Sequence, residues 1–205
     1  TKVHSAMKKI ITACLIIILT ISANAQNFNA GFTLGLAATQ VDGDSYGGFN
    51  KAGPVAGIWI GKNFHDNWFG RMELRYVQKG SYAKTSQESS SFYRIRLHYF
   101  EVPLFVGYRF GNSFQALAGF SLGYLGKAEE MTDQGSFPDE NIAAFKKYEF
   151  AGIGGIEYNY SERWAVGLFF CYSIFPIRPY DNNITYRLDK GQYNQVLEFN
   201  VRYKL

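Results

Sequence analysis

From Phe28 to the last residue the chain alternates apolar residues with small or polar ones in eight successive segments. Side chains of a β-strand point to opposite faces in turn, so this period predicts eight strands, each with one greasy face. In the first, Phe28, Ala30, Phe32, Leu34, Leu36 and Ala38 oppose Asn27, Asn29, Gly31, Thr33 and Gly35. The second runs from about Pro54 to Phe64. The third sets Trp68, Met72, Leu74 and Tyr76 against Arg71, Glu73 and Arg75. The fourth, Ile95 to Phe110, sets Phe100, Val102, Leu104, Val106 and Tyr108 against Glu101, Pro103, Gly107 and Arg109. Phe114 to Tyr124, Tyr148 to Tyr158, Trp164 to Ser173 and Leu197 to Leu205 repeat the scheme. Two places break it. Trp59 sits between Ile58 and Ile60, and Ile95 and Leu97 are out of phase with Phe100 onward. A β-bulge near Tyr99 would reconcile the fourth segment, because one extra residue flips the facing.

The connections fall into two classes. Residues 65–67, 111–113 and 161–163 are tight, whereas 40–52, 80–93, 126–147 and 174–194 are long and polar. Alternation also occurs in soluble barrels such as lipocalins, with the apolar face inward. Here the greasy face is rich in large residues, with Tyr, Trp and Phe toward segment ends, as in the aromatic girdles of a membrane barrel. The opposite face is mostly Gly, Ala, Ser and Asn with a few charges of both signs. Turning Arg71, Arg75 or Arg109 toward lipid near the midplane would cost roughly 2–4 kcal/mol each. Closure removes the strand edges that lipid cannot hydrogen-bond. The expectation is an all-β, eight-stranded antiparallel up-and-down transmembrane β-barrel of the bacterial cell outer membrane. Short turns would be periplasmic, the four long loops extracellular, and both termini periplasmic.

The first residues belong to another category. Met7-Lys8-Lys9 is a basic start, Ile10 to Ile21 an apolar run, and Ala23-Asn24-Ala25 an A-x-A cleavage site. They read as a secretory signal, too short to span a bilayer. Residues 1–25 are therefore pre-start residues plus a cleaved signal, and 26–205 the barrel. Ile11-Thr12-Ala13-Cys14 loosely fits a lipidation box, but the apolar run continues past Cys14 where it should stop. The whole chain carries 21 basic and 17 acidic residues. Without residues 1–25 the basic count is 18, so the net charge is near +1 and no nucleic-acid footprint remains. Only Cys171 remains, which excludes an internal disulfide and a thiolate metal site.

Three runs carry a resemblance. Tyr76-Val77-Gln78-Lys79-Gly80, Tyr99-Phe100-Glu101-Val102-Pro103-Leu104 and Gly152-Ile153-Gly154-Gly155-Ile156-Glu157 resemble the third, fourth and sixth strands of the PorT-like outer-membrane β-barrel family. The resemblance spans essentially the whole mature chain. It implies an eight-stranded barrel without catalytic chemistry or cofactor. The founding member is associated with the type IX secretion apparatus, and no residue here singles out that subgroup. The end of the chain, with Val201, Tyr203 and Leu205 at alternating positions, resembles the C-terminal signal read by the outer-membrane insertion machinery.

Candidate chemistry is sparse. The inward phase carries Arg71, Arg75, Lys79, Arg109, Arg202 and Lys204 against Glu73, Glu101, Glu149, Glu157 and Glu198. An eight-stranded barrel has room for side chains and little else, so these charges are expected to plug the lumen by pairing. A narrow gated channel is the alternative. An outer-leaflet lipid-modifying enzyme is a second alternative. It would need a His–Ser pair oriented by a carboxylate. His65 falls in a tight turn, while His98 lies near Ser89 to Ser91 at the loop end. Glu129, Glu130, Asp133, Asp139 and Glu140 lack the ordered spacing of a calcium loop. Asp139 to Lys147 fits a short capped helix over the barrel mouth. Cys171 reads as a buried filler. No catalytic, cofactor-binding or metal residue is assigned. The function expected is that of a non-enzymatic structural, scaffold or accessory subunit. Its partners would be outer-membrane lipid, the insertion machinery during biogenesis, and other outer-membrane or periplasmic proteins, with no nucleic acid.

Overall fold

The computed structural model describes residues 28–44, 47–83, 92–132, 135–136, 145–179 and 191–205. The expected signal, Ser89 to Ser91 and most of the expected helix from Asp139 lie outside them. The long strands are β1 (Phe28–Asp42), β2 (Lys51–Asn63), β3 (Trp68–Ala83), β4 (Tyr93–Phe110) and β5 (Phe114–Thr132). β7 (Tyr148–Asn159), β8 (Trp164–Ser173) and β9 (Tyr193–Lys204) complete the set. β6 (Gly135–Ser136) only folds back on the tip of β5. All pairings are antiparallel between chain neighbours, and β1 pairs with β9, closing an eight-stranded barrel.

Facing follows the alternation. Phe32, Leu104 and Leu168 are 49%, 56% and 46% exposed on the outside, while Arg75, Glu101 and Glu198 are 2% or less exposed inside. Trp59 turns inward, leaving Ile58 and Ile60 on the outer face. Outward aromatics pair near the strand ends. Trp68–Tyr108, Phe114–Tyr158 and Trp164–Tyr203 mark the short-turn end, with centroids 4.9, 5.0 and 4.8 Å apart. Tyr76–Phe100 and Tyr124–Tyr148 mark the other end. Phe114 to Tyr124 is about 34 Å of strand at about 3.4 Å per residue. At a tilt of about 40° that gives about 26 Å of height, close to the apolar band of outer-membrane barrels.

Three expectations need correction. The long connections are partly strand: β1 continues to Asp42, β3 to Ala83, β4 starts at Tyr93 and β5 reaches Thr132. The barrel wall thus rises beyond the aromatic band. Second, the bulge is present but its extra residue lies in β5. His98 pairs with Lys127 and Tyr99 with Leu125, so Gly126 is the unpaired residue. β4 keeps its phase, and Ile95, Leu97 and Tyr99 are fully buried inside. The flip acts on β5, turning Ala128 and Glu130 inward. Third, the interior is less polar than its sequence phase suggests. Phe69, Phe105, Leu117, Ile153 and Phe169 form an apolar layer within it.

Candidate functional site

The lumen is built along the inward face of β3. Residues two apart on a strand share a face, so Arg71, Glu73 and Arg75 stack, with Lys79 further along. Arg71 Nε lies 3.0 Å from Glu73 and its Nη1 2.8 Å from Glu157. Glu157 also meets Arg202 at 2.6 Å and accepts from Gln115. Arg75 holds Glu198 through both terminal nitrogens, at 2.8 and 3.0 Å, and donates from Nε and Nη2 to Glu101 at 3.1 and 2.9 Å. Lys79 Nζ bridges Glu101 at 2.5 Å and Glu149 at 3.0 Å. Ser173 donates to the other Glu149 oxygen at 2.6 Å, and Asn200 to Glu198 at 3.2 Å. The result is one chain of contacts from Arg202 to Glu149, joining β3, β4, β7 and β9. Removing one partner from such a buried knot leaves an uncompensated charge, which costs far more than the pair contributes.

The ladder is wedged by rings. Arg71 lies 5.0 Å above Phe105 and 5.8 Å from Phe169, and Lys79 5.1 Å from Tyr99. The large inward rings Phe69, Phe105 and Phe169 were the residues missed by sequence reading. Each follows an outward apolar residue (Trp68, Leu104 and Leu168), in a run where the strict period was the only available signal. The motif at the end of β3 has a physical reason. Lys79 enters the ladder, and Gly80 takes φ 136°, where an added Cβ would sit 2.1 Å from the Ile95 carbonyl. The carbonyl of Gly80 accepts from Thr39 at 2.8 Å.

Toward the long loops the lumen closes on an apolar cluster of Val41, Ile95, Leu97, Tyr99, Leu125 and Ile177. Ile177 reaches it because residues 174–179 fold across the mouth. Its N–H donates to Gln192, its carbonyl accepts from Lys146, and Arg178 bridges to Gln192. The β5 flip delivers Glu130 to Arg178 at 2.8 Å, and the guanidinium lies 4.5 Å over Phe145. Burial alone would lower the Arg178 pKa. The hydrogen bond and charge of Glu130 outweigh it and hold the group above its ordinary range.

At the short-turn end the lumen opens into a vestibule of about 420 Å³. Arg71 and Arg202 form part of its lining, and Arg109, Arg163 and Lys204 stand around it. Of the six inward cations expected from the sequence, Arg71, Arg75, Lys79 and Arg202 join the ladder. Arg109 and Lys204 do not.

The remaining candidates stay apart. His65 is exposed in the β2–β3 turn beside Asp66, and His98 Nδ1 lies 2.7 Å from the Tyr76 hydroxyl. Glu129 pairs with Lys127 at 2.6 Å, so it and Glu130 already have basic partners. Cys171 is 1% exposed inside the apolar layer. Among the described residues no cluster of His, Cys, Asp and Glu is arranged to hold a metal.

Among solved structures, the fold is similar to Ail, the attachment invasion locus protein of Yersinia pestis. The identity is 14% and the TM-score 0.50, over 88% of this chain and 100% of Ail. It is also similar to Neisserial surface protein A, at 14% identity and a TM-score of 0.51, over 87% and 97% of the two chains. At such identities the likeness is one of fold. No curated protein matches the sequence significantly. A family model described as outer membrane protein β-barrel domain matches residues 24–178. A match over most of the sequence, on a closed barrel that is greasy outside and ionic within, leaves one conclusion: the chain belongs to the outer membrane protein β-barrel domain family.

Proposed function

We propose that this outer-membrane barrel is a non-enzymatic structural, scaffold or accessory subunit that works through its loops and outer face. The observation that carries this reading is the filled lumen. Among the described residues, a continuous ion-pair ladder, an apolar layer and the 174–179 segment are packed along its length. Short turns and both strand ends Phe28 and Lys204 would face the periplasm, and the raised β-ribbons the cell exterior. The likeness of the β3, β4 and β7 motifs to PorT-like barrels supports an accessory role in an outer-membrane assembly, secretion among them. That His98 is engaged with Tyr76 on the outer side of β4 supports a protein without hydrolytic chemistry of its own. Affinity purification from native outer membranes in mild detergent tests the reading. A stoichiometric co-purifying complex is expected, and recovery of monomer alone would contradict it.

A small pore is the second reading, and the vestibule is the observation that favours it, since it opens the lumen part-way along the axis. Planar-bilayer recording separates the two. The filled-lumen reading expects no steady conductance from purified protein, and reproducible nanosiemens openings would transfer the function to transport.

A further inference from the structure

The vestibule is electrically unlike the rest of the lumen. In the ladder, Arg71, Arg75, Lys79 and Arg202 face Glu73, Glu101, Glu149, Glu157 and Glu198, so every cation there has a carboxylate within 4.0 Å. Around the vestibule, Arg109 from β4, Arg163 from the β8-proximal turn and Lys204 from β9 have no carboxylate within that distance among the described residues. The acidic residue lining it is Glu162. Other groups hold Arg109 and Arg163 without neutralising them. Arg109 stacks 4.5 Å over Phe69 and donates to Asn63 at 2.7 Å; Arg163 donates to the Tyr203 hydroxyl at 3.3 Å. Arg202, 5.0 Å over Trp59, shares the wall. A guanidinium held by its face keeps N–H edges free for an oxyanion. Neutral donors, among them Asn29, Asn112, Ser113 and Asn159, line the same hollow.

At the inner end of the hollow Arg71, Glu157 and Arg202 are joined, where the ion-pair ladder begins. Its volume lies within the range of small-molecule sites, well above what one inorganic ion requires. Forked guanidinium groups match phosphate oxygens in geometry, and several cations converging on one cavity match a multiply charged anion.

We propose that the vestibule is a binding site for a phosphate-bearing ligand, engaged by Arg109, Arg163 and Lys204. A soluble organic phosphate and the headgroup of an anionic phospholipid in the adjoining leaflet share this chemistry.

The test is isothermal titration of inorganic pyrophosphate into the full chain in phosphatidylcholine nanodiscs. Saturable binding that weakens with salt is expected. Arg109→Gln and Lys204→Gln should each weaken it by roughly tenfold or more, Arg109→Lys should weaken it less than Arg109→Gln, and Glu162→Gln should tighten it. Thermal unfolding of each variant checks that the barrel is intact. Repeating the titration in nanodiscs containing phosphatidylglycerol distinguishes the sources. Competition assigns the site to a lipid headgroup, and unchanged affinity assigns it to soluble phosphates. Absence of saturable binding, or binding indifferent to Arg109, Lys204 and Glu162 with intact barrels, would overturn the proposal.

Discussion

Arg75 concentrates the energetics of the interior in one side chain. It meets two carboxylates at hydrogen-bond distance and a third, Glu73, at 4.0 Å, all without solvent. Arg75→Met would leave Glu101 and Glu198 buried without their shared cation. It is expected to cost about 3–5 kcal/mol of stability, measured by urea unfolding in lipid vesicles, and a loss under about 1 kcal/mol would contradict the role given to the ladder. The outer face has its own gradient. Leu104→Arg, mid-strand and facing out, should cost about 2–4 kcal/mol, whereas Tyr108→Arg, in the short-turn girdle, should cost about 0–1 kcal/mol in the same assay. At this scale the inward charges were legible in the sequence, because a charge on a strand otherwise facing lipid has only one affordable direction. Which charge meets which was not legible. Pairing depends on strand stagger, and period alone does not specify it.

Single strands show where the two-residue period stops being sufficient. Ile95 and Leu97 break the pattern only where the inward side is expected to be polar throughout. The upper barrel is instead sealed by apolar residues, and β4 runs through without a flip. The extra residue is Gly126 in β5, where the outer face beyond it carries Lys127 and Glu129. The sequence pattern points to a bulge in the fourth segment near Tyr99, and the pairing of β4 with β5 puts the extra residue in β5 instead. Glu130→Ala should take the carboxylate from Arg178 and release it from β5. Hydrogen exchange read by mass spectrometry is expected to quicken across residues 174–179, and Arg178→Gln should reproduce that effect in part. Unchanged protection in Glu130→Ala would mean that the segment is held by Ile177 and Gln192 alone.

The whole molecule inverts the usual arrangement of a soluble barrel. Its exterior is a band of aliphatic residues bounded by aromatic pairs, and its axis is a filled sequence of basic vestibule, ion-pair ladder and apolar seal. The closed barrel and its polarity were readable from Phe32, Leu104 and Leu168 against Arg71, Arg75 and Glu101. The vestibule was not readable, because Arg163 sits in a turn and its convergence with Arg109 and Lys204 exists only once β1 meets β9. The central claim is that the greasy faces touch hydrocarbon. It is tested most directly by placing spin labels at Leu104 and Leu168 in a Cys171→Ser background and measuring collision with oxygen and with a water-soluble nickel chelate in lipid bilayers. Both positions are predicted to be open to oxygen and closed to nickel. Strong collision with nickel at both, in folded protein, would mean that those side chains face water and would contradict the membrane barrel described here.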